Sequence, residues 1–250
     1  MKASIEDLCR RTFKDITAQE GDIINHLGMS FSFQSGSVSI SQQKYTSDLL
    51  DTFGNPPAVP YPAIGSLFDV SEDGVSCDRN VYRSLNASLL YAAKRTYPEL
   101  LIFSCFLASR FPKATELDMK HCKRSLAYLA FDPNHSLTIS PGSLDLVASA
   151  DASYAVHGDG KSHTGGCVGF RGCGDLPDSY FIFISGKQPI VTKSSMEAEL
   201  VAANTVVDYL VWARAMCLEM HSDLLPSILY QDNKSTITAI LKGAGTFKRS

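Results

Sequence analysis

From Leu144 onward the apolar residues fall into short runs, and this pattern limits the folds open to the chain. Leu144 to Ala150, Gly166 to Arg171 and Tyr180 to Ser185 come first; a long helical stretch follows from Ser195 to about Met220, then a run from Ser227 to Gln231 and a helix from Asn233. Short apolar runs bounded by glycine, proline and polar residues read as strands. Three strands, then helix, strand and helix, describe a mixed sheet with covering helices, an α/β arrangement.

The first half is patterned differently. Residues 5 to 16 place Ile5, Leu8, Cys9, Phe13 and Ile16 at helical spacing. Leu27 to Phe33 and Ser37 to Ile40 alternate apolar and polar residues across Gln34-Ser35-Gly36, which predicts a hairpin. Ser41 is expected to cap a helix carrying Tyr45, Leu49 and Phe53 on one face, ended by Gly54. Four prolines between Asn55 and Pro62 make an extended linker. Asp78 is expected to cap a helix through Arg95 with Tyr82, Leu85, Leu89 and Ala93 inward, and Pro98 suits the first turn of a second helix to about Arg110. A third starts at Thr115 with a capping box completed by Asp118 and stops before Pro133. Asp132 to Ser143, with two prolines and a glycine, reads as the linker between a region 1–140 and a domain 141–250.

At 250 residues and 44% hydrophobic content the chain can bury a full core, and two modest domains are expected. No apolar run approaches the roughly 18 to 20 residues that span a bilayer, and the first seven residues lack the apolar core of a secretion signal. An intracellular protein, cytoplasmic or nuclear, with no membrane partner is expected. Seven cysteines, an odd number without paired C-x-x-C spacing, argue against a disulfide framework or a zinc site; Cys105 and Cys217 are expected in the core. The net charge of -3 carries no global nucleic-acid signature. Lys94-Arg95 and Lys120 to Arg124 are small basic patches of the kind that usually line a solvated helix face.

Three carboxylates stand where chemistry could gather. Asp151 follows the apolar run Leu146 to Ala150, and Asp232 follows Ile228 to Gln231. Ser194-Ser195-Met196-Glu197 has capping-box spacing, which turns Glu197 back toward the helix start. Glu199, about 200° further round the helix, shares a face with Ala202, Ala203 and Val206 and points inward. A buried carboxylate needs a partner, and a divalent cation shared with two aspartates would supply one.

These segments carry a resemblance. ADASYA, HTGG, SGKQPIVTKSSMEAEL and LYQDNKSTI resemble the RNase H domain of the copia-type retrotransposon polyprotein over residues 144–250. HLGMSFSF, SVSISQQKYTSDLLDTFG, YRSLNASLLYAAKRTYPEL and KRSLAYL resemble the end of its reverse transcriptase. The resemblance implies an RNase H-like mixed sheet of the five-stranded type with covering helices, preceded by an α+β region like a reverse-transcriptase thumb or connection. It implies Asp151, Glu199 and Asp232 as catalytic and metal-binding residues, Mg2+ (or Mn2+) as cofactor and an RNA–DNA hybrid as substrate. The family's Y-x-D-D polymerase motif is not in this sequence, so no polymerase activity is expected, and the reverse-transcriptase palm is a candidate partner. The family's fourth acidic position falls beyond Ser250, which implies weak or absent activity. The alternative is a catalytically silent nucleic-acid-binding or structural remnant. His163 reads as a turn histidine before a strand, Lys187 as a solvated lysine or a phosphate contact, and Trp212, Tyr45 and Phe53 as packing residues.

Overall fold

The structure is a computed structural model that describes residues 2–13, 15–63, 67–68, 74–220 and 224–243. The first region opens with α1 (Lys2–Phe13), which stops short of the expected Ile16, and then builds a four-stranded antiparallel sheet from β1 (Ile23–His26), β2 (Met29–Gln34), β3 (Ser37–Ser41) and a later strand. The hairpin β2–β3 turns where expected, at Gly36, whose φ of 75° suits glycine. Ser41 belongs to β3 and does not cap the next helix, α2 (Gln43–Phe53); Gln42 holds the cap position without a side-chain bond. Buried, Gln42 instead accepts a hydrogen bond from the Thr96 hydroxyl at 2.9 Å.

Three further helices join Leu49 and Leu50 of α2 to form the first core. In α3 (Arg79–Ala93) the Asp78 carboxylate accepts from the Asn80 and Val81 amides, and Tyr82, Leu85, Leu89 and Ala93 are all buried. A 3-10 turn at Pro98–Leu100 leads into α4 (Leu101–Arg110). Both halves of the Thr115–Asp118 capping box are present at the start of α5 (Glu116–Phe131), and Asp118 also pairs with the buried Arg110 at 3.2 Å. The basic patch on α5 is broken, because His121 and Cys122 point inward.

The expected linker Asp132–Ser143 contains a strand, β4 (Ser136–Ile139), which pairs antiparallel with β3 and completes the first sheet. Its short Ser-Leu-Thr-Ile alternation is masked by the flanking Pro133 and Pro141. The second sheet has order β7-β6-β5-β8, built from β5 (Leu146–Ser153), β6 (His163–Phe170), β7 (Ser179–Lys187) and β8 (Ile228–Tyr230). Only β5–β8 is parallel. Among the described residues this sheet has four strands where a five-stranded type was expected.

Helix α6 (Ser195–Met220) lies across β5 and β6, and α7 (Lys234–Lys242) follows β8. The inward face of α6 is Ala198, Ala202, Ala203, Val206, Leu210, Ala213 and Cys217. By length and composition α6 could cross a membrane, contrary to the expectation that no segment could, yet this face is buried against the sheet. Trp212, expected to pack, is 57% exposed on the opposite side. Cys105 is only partly buried, at the edge of the first core.

Strand β7 serves both cores. Ile182 and Ile184 pack into the second, whereas Phe183 on the other face packs into the first, beneath α4. Beside this seam His157 and His163 stack with ring centroids 5.3 Å apart and share a hydrogen bond of 3.0 Å between Nε2 and Nδ1. Phe68 and Phe106 from the first region lie edge-on and tilted against them. His163 is thus a buried first residue of β6, not a turn residue, and its Nε2 meets Ser185 Oγ at 2.7 Å. Lys187 is paired with Asp159 at 2.8 Å.

Burial holds the His163 ring down to about 4, with His157 beside it adding to the effect, and burial likewise lowers His157. The unfolded chain takes up protons near the ordinary imidazole value of ~6.5, so this pair's stability is present above that pH and lost as pH falls toward the folded-state value. Protonating both rings would also set donor against donor across their shared bond. We expect His163→Gln to flatten the fall in melting temperature between pH 6.5 and about 4; an unchanged slope in thermal melts would contradict this.

Candidate metal centre

Glu199, Asp151 and Asp232 come from three different elements and meet at one end of the second sheet. Asp151 lies within β5, which continues to Ser153, and not just past its end as expected. Asp232 follows β8 in the turn into α7, whose start is capped by Asn233 accepting from the Thr236 amide. Glu199 sits in the second turn of α6. One carboxylate oxygen of each residue lies within 4.8 Å of the others.

The environments differ. Asp151 and Asp232 are exposed, while Glu199 is 6% exposed. Burial pushes the Glu199 carboxyl up from its ordinary value; the neighbouring Asp151 and Asp232 charges push the same way, and the bond from Gln231 opposes them. Among the described residues no lysine, arginine or histidine forms an ion pair with any of the three. Three like charges this close, one of them desolvated, are mutually destabilising. An oxygen-only donor set of this spacing fits a hard divalent cation, and the residues present therefore suit Mg2+.

Glu197 behaves differently from Glu199. Its amide donates to Ser194 Oγ at 3.2 Å, and its carboxylate accepts from the Lys193 amide at 2.6 Å, one residue before the expected cap. It is spent on the helix start.

Two glutamines that the sequence reading did not single out hold the centre together. Gln231 Nε2 donates to Glu199 Oε2 at 3.2 Å and to the Ala150 carbonyl at 3.4 Å, while its Oε1 accepts from the Asn233 amide. One side chain thereby links the neighbours of Asp151 and Asp232 to Glu199 itself. Gln188, buried, donates from Nε2 to Thr164 Oγ1 and to the Ala198 carbonyl at 2.9 Å, joining β6 to the turn of α6 that carries Glu199. A lone amide side chain has no periodic signature, and only its adjacency to Asp232 marked Gln231.

No family model matches the chain. It is similar to the Retrovirus-related Pol polyprotein from transposon RE1 of Arabidopsis thaliana, 29% identical over 205 residues that cover 78% of this chain and 13% of that polyprotein. It is also similar to an uncharacterized mitochondrial protein of Arabidopsis thaliana, 26% identical over 200 residues covering 78% of this chain and 80% of that protein. The chain thus spans a small part of the first relative and most of the second.

Outer hydrogen bonds of this kind typically carry 10- to 100-fold in metal affinity. Gln231→Leu should therefore weaken Mn2+ binding by about 10-fold or more, measured by calorimetry, whereas Glu197→Gln should leave it unchanged. Because the Glu199 carboxyl is raised in the folded state, the stability of its protonated form is lost as pH rises above the ordinary glutamate range. Glu199→Gln should accordingly raise the metal-free melting temperature at neutral pH and abolish the further rise on adding Mn2+. A lower metal-free melting temperature would show that the ionised carboxylate is not a cost.

Proposed function

We propose that this chain is a retrotransposon-derived nuclease of the RNase H type, which hydrolyses the RNA strand of an RNA–DNA hybrid with divalent metal. The observation that carries the reading is the meeting of Asp151, Glu199 and Asp232 within 4.8 Å, one of them buried and, among the described residues, without an ion-pair partner. The mixed sheet with one parallel pair, crossed by α6, supports an RNase H-like fold for the second region. The similarity to a Pol polyprotein supports a retroelement origin.

In this reading Asp151, Glu199 and Asp232 hold the metal, which when bound activates water and stabilises the departing oxygen. Asp151 and Asp232, being exposed, face the substrate. Glu199 anchors from beneath, and Gln231 fixes its orientation. Water adds to the scissile phosphorus, the bond to the 3′ oxygen breaks, and the products are a 5′-phosphate and a 3′-hydroxyl. The reverse-transcriptase-like first region packs α4 against β7, and a polymerase palm is the partner proposed for it.

Purified protein should cut the RNA strand of an end-labelled hybrid with Mg2+ or Mn2+ and leave the DNA strand intact. Asp151→Asn should reduce this by ~100-fold or more, since it removes an anionic ligand of the cation that would stabilise the negative charge developing in the transition state. Hybrid binding without cleavage under any divalent metal would favour a silent binding module instead.

A further inference from the structure

Gly165 and Gly166 are neighbours on β6, and the fold explains only one of them. A Cβ at Gly166 would overlap Val206 Cγ2 and lie 2.9 Å from the Ser149 carbonyl oxygen, so the approach of α6 requires glycine there. A Cβ at Gly165 would meet a single atom, the Asp151 carbonyl oxygen at 3.9 Å, an ordinary contact. Its backbone is outside the left-handed region. Glycine inside a strand loses conformational entropy and packing, and it often marks a place where a ligand comes close to the backbone.

What Gly165 faces is a groove. It pairs with Asp151 in the β5–β6 register and, by strand alternation, lies on the face away from α6. The groove is lined by Asp151, Ser153 and Gly165, by the apolar Phe183 of β7, and by Glu99 and Ile102 of the first region. Neither lysine nor arginine lines it among the described residues, and both ring nitrogens of His163 are engaged with His157 and Ser185. Apolar side chains set beside carboxylate oxygens and the Ser153 hydroxyl suit a sugar, with its apolar ring face and its hydroxyls, better than a phosphate.

Resting on the nuclease reading, we infer that the strand to be cut lies in this groove, with the sugar beside the scissile phosphate seated on the bare backbone at Gly165. One strand spacing, ~4.8 Å, separates β6 from β5, so a phosphate at the carboxylates brings its neighbouring sugar over β6. A side chain at position 165 would stand where that sugar sits. Gly165 is a positioning residue that fixes how deep the substrate lies.

The test compares wild type, Gly165→Ala and Gly165→Val in thermal melting, Mn2+ calorimetry and cleavage of a labelled RNA–DNA hybrid. Both variants should melt and bind Mn2+ like wild type. Cleavage should fall in order of side-chain size, reaching ~100-fold for valine, the scale of a 1 Å misplacement. If valine disturbs the fold, alanine carries the comparison. Wild-type cleavage by a folded Gly165 variant would overturn the inference, as would loss of fold or of Mn2+ binding in Gly165→Ala. Failure of the wild-type protein to cleave or bind the hybrid would instead remove the nuclease reading, and this inference with it.

Discussion

The second region depends on how closely α6 can approach the sheet. Gly166 offers no side chain under Val206, and Ala198, Ala202 and Ala203 present only methyl groups, so helix and strands meet nearly backbone to backbone. That approach sets the depth of Glu199. With larger residues along the seam the helix would ride outward, and the carboxylate would rise into water beside the two aspartates. Close packing here forces a charge out of solvent, and close packing is what makes interiors stiff enough to hold it there.

The first region is not a bystander to this arrangement. Phe183 reaches from β7 into the first core while its neighbours Ile182 and Ile184 fill the second. The histidine pair, flanked by Phe68 and Phe106, seals the same seam with groups that stay neutral. A single strand therefore carries apolar contacts for both cores, so disturbance on either side is felt on the other.

How much of this was legible in the sequence follows from the kind of signal each feature carries. Asp78, the Thr115–Asp118 box and the full span of α6 announce themselves through local chemistry: a capping oxygen, or a helical period in small apolar residues. The inward turn of Glu199 was readable for the same reason. Strand β4 was not, because four residues between prolines resemble a linker until a partner strand is known, and its partner lies nearly a hundred positions earlier. Trp212 misled by its size: helical position, not residue type, decides which side of α6 meets the sheet. Gln188 and Gln231 act through contacts that exist only once β6, β8 and α6 are assembled.

Strand β4 also has a temporal meaning. Val38 pairs with Ile139 and Ser41 with Ser136, so the first sheet closes around all of α2 to α5. On a growing chain the β2–β3 hairpin emerges with one edge bare and must wait for the intervening helices to be synthesised, since an open strand edge is a template for pairing with other chains. Helices α2 to α5 stand between that edge and its partner, and their folding shortens the effective loop that β4 has to close. The first region thus has an order of birth written into its topology: hairpin, then helices, then the strand that fastens them.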